Sequence, residues 1–109
     1  MPLEIQTDID GSAAGNTSNA TIDLRGYPKF SFALTATGES TTAVYRAQLR
    51  VGGGPWADVS GTDVTGTGHQ LGIDCAGATE GRVVVETAQS GATCAVWLYA
   101  EHTFRSDLN

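Results

Sequence analysis

The sequence predicts an all-β fold, an antiparallel β-sandwich or jelly roll of about eight strands. Three observations predict it. Apolar and polar residues alternate with period two along most of the chain, and no long window keeps the i, i+3, i+4, i+7 spacing of an amphipathic helix. Fourteen glycines and three prolines punctuate these runs at short intervals. Only 17% of residues are charged and Lys29 is the single lysine, so the solvated faces of a helical bundle are missing.

In Leu3 to Asp10 (LEIQTDID) odd positions are apolar or Thr and even ones polar, as a strand with one buried face requires. Asp10 to Asn19 (DGSAAGNTSN) has turn composition. Ala20 to Leu24 follows with Ile22 and Leu24 in phase, and Arg25-Gly26-Tyr27-Pro28 connects it onward. Lys29 to Thr37 is the clearest strand, with Phe30, Phe32, Leu34 and Ala36 on one face. Gly38-Glu39-Ser40 reverses the chain into Ala43 to Val51, where Tyr45, Ala47, Leu49 and Val51 are expected inward. Gly52-Gly53-Gly54-Pro55 forces another reversal, followed by a short strand, Trp56 to Val59. Ser60 to Gly68 reads as a flexible stretch, and Gln70 to Cys75 as a strand with Leu71, Ile73 and Cys75 sharing a face. Arg82 to Thr87 and Thr93 to Phe104 complete the set. The 109 residues suffice for one domain, read as an N-terminal strand or arm plus loop over 1–19 and a sandwich body over 20–109.

Twelve acidic against six basic side chains give a net charge of −6. A nucleic-acid backbone or an anionic membrane surface needs a basic face, which six scattered cations do not supply, so neither is an expected partner. The longest apolar run, Cys94 to Ala100, is far short of the ~20 residues of a membrane span. Residues Met1 to Asp8 lack the basic and apolar regions of a secretory signal. A composition typical of extracellular β-domains therefore sits on a chain expected to be made in a cytoplasm. A virion component released by lysis reconciles the two.

No catalytic constellation is evident, and an enzyme is not expected. His69 and His102 fall in no HxH or HExxH arrangement, and no serine lies in a G-x-S-x-G elbow. Asp8, Asp10, Asp58 and Asp63 lie near loops but lack EF-hand spacing; they read as solvating acids, and no metal or cofactor is expected. Cys75 and Cys94 both fall on core faces and read as buried thiols, with a disulfide open if their strands are neighbours. The last strand carries the most unusual pattern: with Cys94, Val96, Leu98 and Ala100 inward, Trp97 and Tyr99 project outward beside Glu101. Large aromatics on an outer face are the mark of an interface. Trp56, after the glycine turn, reads first as a plug over its hairpin. Its rival reading is a platform for a sugar ring, with Asp58 and Asp63 as loop acids in a carbohydrate- or receptor-binding module.

The Val51–Gly61 hairpin, Tyr27-Pro28-Lys29-Phe30-Ser31-Phe32, Gln48-Leu49-Arg50-Val51 and Gly81-Arg82-Val83-Val84-Val85 together resemble the small Gly/Thr/Ala-rich β-sandwich proteins among the structural proteins of tailed bacteriophages. The resemblance covers about Thr21 to Phe104. It implies a non-enzymatic role on the virion, most directly a head decoration (cement) protein that binds the major capsid protein as a homotrimer. Tail, connector and fibre roles occur in the same group. Under that reading Trp97, Tyr99 and Glu101 are expected at a subunit contact, and Leu3 and Ile5 to meet the capsid by strand addition or as an arm.

Overall fold

The structure, a computed structural model, describes residues 3–37 and 42–101. Nine strands are present: β1 (Leu3–Asp10), β2 (Ile22–Asp23), β3 (Lys29–Thr37), β4 (Val44–Arg50), β5 (Ala57–Asp58), β6 (Val64–Thr65), β7 (Gly68–Asp74), β8 (Glu80–Thr87) and β9 (Thr93–Glu101). They form two antiparallel sheets. One runs β1-β9-β3-β7; the other runs β2-β8-β4-β5, with β6 also pairing β4. In chain order the strands alternate between the sheets except for β4, β5 and β6, which lie in the same one, so most pairings are long-range. This is the winding of a jelly roll, with β5 and β6 together taking one strand's place.

Directly opposed residues of an antiparallel ladder share a face, and the register therefore sorts the side chains. Leu3, Ala100 and Phe30 form one inward row; Ile5, Leu98 and Phe32 the next; Ile9, Cys94 and Ala36 another. These pack on Tyr45, Ala47, Val83 and Val85 of the facing sheet, all buried. Gly81 leaves room for core side chains: a Cβ there would stand 2.9 Å from Leu24 Cδ1 and 3.3 Å from the Phe30 ring, which would have to shift. Tyr45 is completely buried, and its hydroxyl accepts from the Cys94 thiol at 3.2 Å, so the core's largest polar side chain is satisfied.

Several expectations need correction. β4 ends at Arg50, and Val51 turns outward, 66% exposed, into the glycine reversal. The stretch from Ser60 to Gly68 is not a free loop. Thr62 is buried, accepts from the Ala47 amide and donates to the Val59 carbonyl, and Val64 is buried on β6. Leu71 does not share a face with Ile73 and Cys75. Between the Phe30–Ile73 and Phe32–Gln70 pairs, β3 supplies only Ser31 while β7 supplies Leu71 and Gly72. This bulge, with Gly72 at φ +67°, throws the strand out of phase and leaves Leu71 70% exposed. Of the last strand, Thr93–Glu101 is described, and the predicted continuation to Phe104 lies outside the described residues.

Candidate functional site

The outer face of the four-stranded sheet carries a shallow groove of about 490 Å³. Its position follows from the register. One outward row runs Glu4, Tyr99, Ser31 and then the Leu71–Gly72 bulge; the next runs Gln6, Trp97, Ala33 and His69; Glu101 stands opposite Lys29. The small Ser31, Ala33 and Gly72 leave a depression, and the half-buried Trp97 and Tyr99 and the exposed Leu71 wall it. Ser31 is not merely small. Its hydroxyl accepts from the Gly72 amide at 2.9 Å, which holds the bulge open. Glu4 and Glu101 line the same groove, and Lys29 is engaged by Asp74, so the groove's charge is acidic. The groove offers apolar area and an acidic rim, the features of a binding surface.

Trp97, Tyr99 and Glu101 are thus brought together as the alternation predicts. Leu3 and Ile5 are not beside them. They sit on the inward face of β1, half-buried against the core, and β1 pairs with β9 from Leu3 to Asp10. Residues Leu3–Asp10 therefore form an edge strand of the sheet rather than a separate arm. Leu71, Glu4, Ser31 and Ala33 escaped the sequence reading. The glycine inside the β7 pattern was the one signal for Leu71, since an interior strand glycine often marks a bulge.

Trp56, Asp58 and Asp63 belong to the other sheet's outer face. The Trp56 ring carries the Arg82 guanidinium 4.0 Å from its centroid and that of Arg50 at 4.7 Å. A ring face that a sugar would need is therefore already stacked. Asp58 and Asp63 converge on Arg46, which donates through Nη1 to Asp58 (3.0 Å) and through Nε and Nη2 to Asp63 (2.6 and 3.1 Å). The Gln48 amide and Arg46 hold Asp58 below the ordinary carboxylate range, and Arg46 does the same for Asp63. Among the described residues no group of three or more His, Cys, Asp or Glu side chains gathers as a metal site.

His69 lies on β7, exposed on the groove side of the sheet beside Ala33; His102 lies outside the described residues. Cys75 and Cys94 are free and buried. They are not on neighbouring strands. Cys75 follows β7 and donates its amide to Pro28 at one end of β3, while Cys94 pairs with Ala36 at the other. At ~3.3 Å per residue that separation is beyond any disulfide. Burial pushes the Cys75 thiol up to about 11, with Asp74 adding to the shift.

No protein-family model matches the chain, and no curated protein matches it. Among solved structures it is similar to the SPBc2 prophage-derived protein YomS, with a TM-score of 0.59 over 92% of this chain and 94% of that one. The two are 13% identical. At that identity the likeness establishes a shared fold, a β-sandwich that spans most of both chains.

Proposed function

We propose that this chain is a non-enzymatic structural protein of a phage particle, a head decoration protein that associates as a homotrimer and binds the capsid exterior. The observation that carries the reading is the groove of Trp97, Tyr99 and Leu71 on an otherwise polar outer sheet face. Two aromatics and a leucine at a surface cost solubility unless they are covered by a partner. Each further 100 Å² of apolar surface they lose to water favours association by about 2.5 kcal/mol, before the cost of immobilising the partners. The phage setting is supported by the prophage origin of the structural neighbour and by the sequence resemblance to phage sandwich proteins. A cement role asks for a rigid body, a contact face and several linked copies, because multivalency turns a weak single contact into firm attachment.

The test combines the solution mass with co-sedimentation on empty phage heads and, separately, on tails. The expected result is a species three times the 11.3 kDa chain that pellets with heads, and a Trp97→Ala variant that folds normally but no longer does. Undiminished pelleting of Trp97→Ala rejects the groove as the contact. Pelleting with tails alone rejects head decoration.

A further inference from the structure

Arg82 is unusual among the basic side chains. Among the described residues the other five cations less Arg105, namely Arg25, Lys29, Arg46 and Arg50, are each ion-paired with a carboxylate. Arg82 is not. In a chain with twice as many acids as bases, an arginine without a carboxylate is placed against the odds.

Its surroundings fix it in that state. Arg82 lies opposite Gln48 on the outer face of the five-stranded sheet, and its Nε donates to the Gln48 side-chain oxygen at 2.8 Å. Gln48 donates its amide to Asp58 at 2.8 Å, which keeps its oxygen turned toward Arg82. The guanidinium plane is held at the Trp56 ring, where Arg50 also stands. The nearest acid, Glu80, is committed to Arg50 Nε at 2.5 Å and receives the Thr21 hydroxyl on its other oxygen. One edge of the Arg82 fork is thus used, and its two terminal nitrogens have no acceptor among the described residues. Partial burial and the charge of Arg50 disfavour the Arg82 cation, Glu80 offsets them only in part, and a bound anion would offset them further.

We propose that Arg82 and Trp56 form a receptor for a single carboxylate, presented by an acidic side chain of a protein partner, with Trp56 and Gln48 holding the guanidinium for a two-point contact. The local charge argues for this ligand over phosphate. Arg82 brings one charge without an ion-pair partner, which one carboxylate matches, whereas a phosphate dianion adds a second negative charge beside Glu80 and the Asp58 that Gln48 holds, on a chain already at −6. The site is on the opposite sheet from the Trp97 groove and does not depend on the decoration reading.

The experiment is a nitrogen-15 NMR titration at constant ionic strength, with a blocked glutamate (N-acetyl, N-methylamide) as probe and inorganic phosphate and chloride as comparisons. The expected result is a saturable shift of the Arg82 Nε–H and Trp56 indole signals by the glutamate probe, with half-saturation at roughly tens of millimolar. Phosphate should be at least severalfold weaker. Arg82→Gln, with its fold checked by amide dispersion, should abolish saturation at Trp56, Arg82→Lys should weaken it severalfold, and Arg25→Gln should leave it unchanged. Shifts no different from chloride, saturation that survives Arg82→Gln, or tighter binding of phosphate would each overturn the proposal.

Discussion

Replacing Gly72 tests whether the β7 bulge is built as described. Its φ of +67° lies in the left-handed region, and no atom within 4 Å would touch an added Cβ, so the penalty is purely conformational. A left-handed φ costs a Cβ-bearing residue about 1–2 kcal/mol, while alanine's stiffer unfolded chain returns roughly 0.4–1 kcal/mol. Gly72→Ala should therefore lose about 1 kcal/mol. Asn tolerates this region better, so stability should fall in the order Gly72, Gly72→Asn, Gly72→Ala. In a urea titration the midpoint should shift to lower denaturant with an unchanged slope, and Tm should drop by about 4 °C. If Gly72 instead had an ordinary strand conformation, alanine would stabilise the protein by restricting the unfolded chain. A stabilised Gly72→Ala variant, or Asn below Ala, would refute the bulge and with it the exposed placement of Leu71.

Acid should weaken the protein partly through the Arg46 cluster. Asp58 and Asp63 are held below the ordinary value of 3.8, so their contribution is present above that pH and is lost as the pH falls through the lower folded values. Arg46→Gln should be less stable at pH 7, and its deficit against wild type should shrink from roughly pH 4 to 2; a deficit constant over that range contradicts the assignment. The thiols should be masked in the native state. With Cys75 at about 11 and Cys94 buried, labelling by a thiol reagent at pH 8 should run at least about a hundredfold slower than for free cysteine and become complete on unfolding. Labelling of the folded protein at the free-cysteine rate contradicts the buried placement.

Much of this molecule is legible in its sequence because period-two alternation is local. Phe30, Phe32 and Leu34, or Cys94, Val96 and Leu98, announce their inward face without reference to any partner, and that alone turns Trp97 and Tyr99 outward. Alternation fails where one residue is inserted. Leu71 looked apolar and in phase, but the bulge at Gly72 reversed its direction, a shift that only the pairing with β3 reveals. Hydrogen bonds across the sheets are likewise invisible in a run of residues. Thr62 reads as loop composition until Ala47 and Val59 are seen to claim its hydroxyl.

The sequence by itself determined the class of fold, the inward face of the long strands, and the outward aromatics of the last one. These depend on a residue's neighbours one and two positions away. The tertiary structure decided which strands are neighbours, and therefore that Trp97 and Tyr99 share a groove with Leu71, that Cys75 and Cys94 stand at opposite ends of β3, and that Trp56 meets Arg82. Those outcomes rest on pairings between residues far apart in the chain, whose register is set by burial of both sheets at once rather than by any local pattern.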